Sequence, residues 1–147
     1  MYEERRINLE LPNGVVCAVD VTFVAQNQAV LQSDPMSCLA ADSEDDLHKL
    51  PDYRDLVELE RFSLGKFRFV RVLKRARLRR IQFLLSDPEA QAKALGPVFS
   101  KAEGLGGHWE VVFGGFVAIW LPLGRGYDPT VDIPTVSNLE LNHESPR

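Results

Sequence analysis

Alternation of apolar and polar positions dominates the start of the chain. Ile7, Leu9 and Leu11 are separated by polar residues, and Cys17, Val19, Val21 and Phe23 repeat the pattern beyond Asn13-Gly14. A period of two puts one set of side chains on one face, so this segment predicts a β-hairpin with one buried side. A two-residue loop would set Ile7 opposite Asp20. A three-residue loop sets Ile7 opposite Val21, Leu9 opposite Val19 and Leu11 opposite Cys17, which keeps the apolar face whole. The longer loop is therefore predicted. Gln26-Asn27-Gln28 reads as the next turn, with a short strand near residues 29–32. Periodicity stops over residues 33–53, which hold Pro35, Pro51 and an acidic cluster. That stretch predicts a long surface loop with a short helical turn around Asp45 to Leu50.

Residues 55–85 predict a three-stranded meander, with strands at 56–62, 67–73 and 78–85 and turns at Leu64-Gly65 and Arg75-Ala76. One face then carries Val57, Leu59, Val70, Val72, Ile81 and Phe83. The other carries Glu58, Arg71 and Arg80 in a row. Phe67, Val70, Leu78, Ile81 and Leu85 also fall near helical spacing, but the Phe, Val and Ile content favours strands. Asp87, Pro88 and Glu89 are a cap, a first helical residue and an acid at the positive end of a helix over 88–103. Ala92, Leu95, Val98, Phe99 and Ala102 form its apolar stripe. Gly96-Pro97 is expected to break or kink it, and Gly104 to end it. Trp109, Val111 and Phe113 alternate before Gly114-Gly115, and Phe116, Ala118 and Trp120 after it, which sets Trp109 opposite Trp120. The expected fold is α+β: a mainly antiparallel sheet of hairpins and a meander, with one broken helix packed on it. Residues 1–140 read as a single domain and 141–147 as a frayed tail.

Composition adds little to this picture. The chain has 147 residues, 45% hydrophobic and 26% charged, as in soluble globular domains. There is no apolar run long enough for a membrane span and no apolar core for a signal peptide near Met1 to Arg6. Cys17 and Cys38 read as free thiols in a reducing cytoplasm.

Charge layout changes it more. The net charge is −4, which argues against a general polyanion binder. Residues 42–60 hold eight acids against Lys49 and Arg54, whereas residues 66–80 hold eight bases and no acid. Within the second run, Lys74, Arg75 and Arg77 crowd the predicted hairpin tip, and Arg71, Arg79 and Arg80 lie just below it. They could grip an acidic protein partner or, ranked behind it, nucleic acid phosphates. The bland alternative is internal neutralisation by Glu58, Glu60 and the acidic loop.

The loop itself, with Asp42, Glu44, Asp45 and Asp46, lacks the glycine and closing glutamate of an EF-hand and reads as a solvated face. His48, His108 and His143 match no ligand spacing, so no metal is expected. Cys38 and His48 share a loop without any nucleophile–base signature. Gly104-Leu105-Gly106-Gly107 is no P-loop, because no Gly-Lys-Ser/Thr follows. No catalytic residue and no cofactor are assigned, and the sequence sets no oligomeric state.

Three segments taken in order, 53–59 (Tyr53 to Leu59), 67–72 (Phe67 to Val72) and 114–122 (Gly114 to Pro122), resemble a family of small bacterial cytoplasmic domains of unknown function. The resemblance implies a bacterial, cytosolic α+β domain and carries no functional residues. The expectation is a non-enzymatic protein-binding module, in one form an immunity or antitoxin-type protein. The alternative is a nucleic-acid-binding domain using residues 66–80.

Overall fold

The N-terminal alternation becomes a hairpin of β1 (Glu3–Glu10) and β2 (Val16–Ala25). In a computed structural model, residues 3–37, 41, 43–85, 88–111, 115–132 and 143–146 are described. The apolar face is the predicted one, with Ile7, Leu9, Val19 and Val21 buried. The pairing is not. Ile7 lies opposite Val19 and Leu9 opposite Cys17, a shift of two residues from the predicted register. A slip of two preserves the face, so hydrophobicity cannot choose between these registers. The turn chooses. Gly14 N–H donates to Leu11 O at 2.9 Å and Leu11 N–H to Val15 O at 2.8 Å. The loop does have three residues, but they are Pro12, Asn13 and Gly14. Proline presets the first turn position, and Gly14 adopts φ +89°, the left-handed conformation that closes such loops.

β3 (Gln28–Leu31), β4 (Leu56–Ser63) and β5 (Lys66–Lys74) continue the path, each antiparallel to the strand before it. β5 then returns to β1, and the five strands close a barrel. This corrects the open sheet expected from the sequence. The fold is mostly β, with 50% of the described residues in strands. The expected meander is also divided: its first two strands are barrel strands, whereas the third lies in another sheet.

β5 departs from simple alternation as well. Val57 pairs with Val72, Glu58 with Arg71, and Leu59 with Phe69, so Val70 has no opposite number. Leu73 is skipped in the same way between Val72 and Lys74, and Phe62 between Arg61 and Ser63. Each bulge turns the following residues over. Phe67 and Phe69 therefore fill the barrel, and Val70, expected inside, is 45% exposed. The three skipped residues, Phe62, Val70 and Leu73, are all exposed apolar side chains.

Residues 1–76 and 77–147 form two compact units. The second contains β6 (Leu78–Leu84), α2 (Pro88–Gly104), β7 (His108–Val111), β8 (Phe116–Pro122) and β9 (His143–Pro146). The sheet order is β7-β8-β6-β9, all neighbours antiparallel. β6 and β7 thus run parallel with β8 between them, a split βαβ unit.

α2 continues through Gly96-Pro97 and is not broken. Gly96 has no Cβ to meet the proline ring, and both residues are exposed, so water can reach the carbonyl that loses its donor. The helix stop lies beyond Gly104. Gly107 N–H donates to Ala102 O at 2.8 Å and Gly106 N–H to Glu103 O at 3.0 Å, with Gly106 at φ +87°. This is a Schellman cap.

Trp109 and Trp120 are not partners. Trp109 lies opposite Ile119, and Trp120 opposite His108, so the indoles occupy opposite faces of the sheet. Trp109 stacks on Phe99 of α2 with centroids 3.9 Å apart. Trp120 is fully buried on the other side, with the Arg80 guanidinium 5.0 Å from its ring. No helix among the described residues is long and apolar enough to cross a membrane.

A Cβ on Gly107 would come within 2.3 Å of Trp120 O and 3.0 Å of Ala102 O, whereas one on Gly126 meets nothing. Gly107→Ala is expected to destabilise the protein by about 1–3 kcal/mol in thermal unfolding. Gly126→Ala should leave it within about 0.5 kcal/mol.

Candidate functional site

A densely connected polar group of the first unit is Asp55, just ahead of β4. It is fully buried. Its Oδ2 accepts from Arg75 at 2.6 Å and from the Asp52 N–H at 2.9 Å, and its Oδ1 from the Ala76 N–H at 2.8 Å. Arg75 also donates to the carbonyl oxygens of Leu50 and His48. One arginine thereby ties the end of the 33–55 connection to the end of β5. Buried carboxylates need such partners, because an unpaired charge is costly in a low dielectric. In the sequence Asp55 is one of eight acids and also the aspartate ahead of a strand in the 53–59 segment that carries the family resemblance. Its position immediately before an alternating strand is the signal that singles it out.

The basic run is therefore no hairpin tip. β5 and β6 belong to different sheets, and the six cations have different fates. Arg75 holds Asp55. Arg79 donates to Tyr127 O. Arg80 is 3% exposed and its Nε donates to Gln82 Oε1 at 2.7 Å. Arg71 is exposed and pairs with Glu58 at 2.6 Å, the cross-strand neighbour expected from the sequence. Lys74 and Arg77 are exposed. Arg80, expected in the same row as Arg71, lies in the second sheet instead.

The acidic loop contributes a short helix, α1 (Glu44–Lys49), where a helical turn was expected. Ser43 Oγ caps it by accepting from the Asp46 N–H at 3.2 Å. Asp45 is exposed and Asp46 half-buried. Asp42 and the side chain of Glu44 lie outside the described residues, as does Cys38.

α1 ends beside β5. A groove of about 490 Å³ is lined by Val70, Arg71, Val72 and Leu73 together with His48, Lys49 and Arg75. Four consecutive residues line it because the bulges at Val70 and Leu73 interrupt the alternation. On its side away from β4 this stretch has no strand partner among the described residues, since β1 pairs with β5 only at Lys66, Phe67 and Arg68.

Among the described residues no three His, Cys, Asp or Glu side chains gather to hold a metal ion. His108 Nε2 lies 2.8 Å from Glu110 Oε2 on the same strand face. Cys17 is half-buried against the Leu9 carbonyl. Burial, and then the negative charge of Asp34, push its thiol up from the usual 9.0 to about 11.

Arg75→Ala is expected to cost about 3 kcal/mol, because it leaves the Asp55 carboxylate buried without its counter-charge. Arg77→Glu should change stability by less than about 0.5 kcal/mol, and chemical denaturation of both variants checks the contrast. For Cys17, the folded thiol holds its proton above the pH at which the unfolded chain releases it. Its contribution is complete below about pH 9 and is lost as pH rises toward about 11. The fall in melting temperature over that window should be shallower in Cys17→Ala. Iodoacetamide at pH 8 should label Cys17 far more slowly in the folded protein than in urea.

No protein-family model matches the chain, and no curated protein matches it. Among solved structures it is similar in fold to a hypothetical protein from Neisseria gonorrhoeae, with a TM-score of 0.50 and 12% identity, over 85% of this chain and 81% of that one.

Proposed function

We propose that the protein is a non-enzymatic binding module that takes an acidic, extended segment of a protein partner along the β5 edge. The observation that carries this reading is the groove beside Val70–Leu73. Unpaired backbone groups along a strand edge can add one more strand, and side chains beside it choose the sequence. Here the exposed side chains are Val70 and Leu73, with Lys49, Arg71 and Lys74 around them. Apolar and acidic residues in alternation would meet both. The bulges at Val70 and Leu73 curl the strand, which limits the added segment to a few residues and blunts general edge-to-edge aggregation.

The same geometry favours a protein over nucleic acid. Arg75, Arg79 and Arg80 are engaged inside their own units, so the run offers phosphates far fewer cations than its sequence suggests. An immunity or antitoxin role in the cytoplasm is one form of this reading. It draws on the small size, on the cation-flanked edge and on the absence of any catalytic motif in the sequence.

The test is fluorescence anisotropy with a labelled peptide in which Glu alternates with Val and Leu. The peptide should bind at low salt and weaken steeply as salt rises, because the flanking charges are exposed and screened. A Lys-containing counterpart should not bind. The double variant Lys49→Glu/Lys74→Glu should lose the acidic peptide while its stability stays within about 0.5 kcal/mol of the parent. Equal binding of both peptides, or retention by the double variant, removes the proposal.

A further inference from the structure

We infer that the open end of the barrel binds a small monocarboxylate with an apolar body, a site separate from the β5 edge and independent of that reading. The inward-facing positions of the barrel are apolar along most of their length and then change character. On β1 the series that buries Leu9 and Ile7 continues to Arg5 and Glu3. On β4 the series of Val57 and Leu59 continues to Arg61, and Phe23 and Phe67 complete the rim. These five residues, with Val24, Ala25, Gln26 and Asn27, line a cavity of about 380 Å³. That is within the range of small-molecule pockets, and the mouths of small barrels are a common place for them.

The chemistry of the rim selects the ligand. The Arg5 guanidinium carbon lies 5.1 Å from the Phe23 ring centroid and 5.3 Å from that of Phe67. Two aromatic faces hold a planar cation in place, and its fork of N–H donors matches a carboxylate. Its carboxylate neighbour is Glu3, at 3.5 Å and 67% exposed. A pair so exposed is weak, so a ligand carboxylate can displace it. Arg61 supplies a second cation to the lining. Two arginines and one glutamate leave a single positive charge, which suits a monoanion better than a phosphate dianion. Phe23, Phe67 and Ala25 supply apolar lining for the remainder of the ligand.

Edge protection is the alternative use of inward-pointing charges at a strand end, and it makes a different forecast. The full-length protein, labelled with nitrogen-15, is titrated with 2-naphthoate, its neutral amide 2-naphthamide, and inorganic phosphate. Naphthoate should shift the amides of Val24, Ala25, Gln26 and Asn27 saturably, with the amide and phosphate at least about tenfold weaker. Arg61→Gln should weaken naphthoate about fivefold or more, and melting curves should show that this exposed variant folds. Glu3→Gln should tighten it, because a competing carboxylate is removed. The proposal is overturned if naphthoate gives no saturable shift in either the parent or Glu3→Gln, if the amide or phosphate binds as well, or if both variants bind like the parent.

Discussion

An up-and-down barrel with an odd number of strands cannot close on an antiparallel pair. With five strands the first and last run in the same direction, so the seam between β1 and β5 must be parallel. It is also short: Asn8, Leu9 and Glu10 face Lys66, Phe67 and Arg68. Much of the first unit follows from this limit. Beyond the seam in one direction, Phe69 to Lys74 have no strand partner on their side away from β4 among the described residues. In the other, Glu3 to Ile7 extend past the start of β5 and the interior opens to solvent. The edge groove and the barrel mouth are the two ends of one incomplete closure. The Asp55–Arg75 pair then fixes the end of β5 that the seam does not reach.

Strands were legible in the sequence wherever alternation met a buried face, as in β1 and β2, whose inward residues are those expected. Their pairing was less so, since registers two residues apart bury the same side chains and only Pro12 and Gly14 distinguish them. β5 shows the stronger limit. Periodicity assumes one pleat, and bulges at Val70 and Leu73 reset the pleat without any glycine or proline to announce them. The sheet to which a strand belongs is a long-range property, so nothing local in residues 78–84 separates β6 from the meander before it.

The candidate sites were legible in part. Charge counting drew attention to residues 66–80, but a count cannot tell a cation that faces water from one that neutralises a neighbour. Arg75 and Arg80 serve the interior, while Arg71, paired with Glu58 as the alternation suggested, faces water. The barrel mouth was hidden for a different reason. Glu3, Arg5 and Arg61 look like ordinary surface charges until closure shows that they continue the rows of Ile7 and Leu59. The structural neighbour from Neisseria gonorrhoeae adds fold likeness only, so the chemistry of these sites rests on the residues themselves.

The seam also has a consequence for how the chain reaches its fold. Glu10 and Arg68, which lie across it and are joined by an ion pair, are 58 positions apart in sequence, whereas the other barrel pairs join strands consecutive in sequence. Loop-closure entropy rises with the length of chain enclosed, and contacts between distant residues slow folding. The hairpins can therefore assemble while the two outer strands are still apart. Until those strands meet, the half-formed sheet presents two long bare edges, and this interval is when the unit is most open to pairing with another chain.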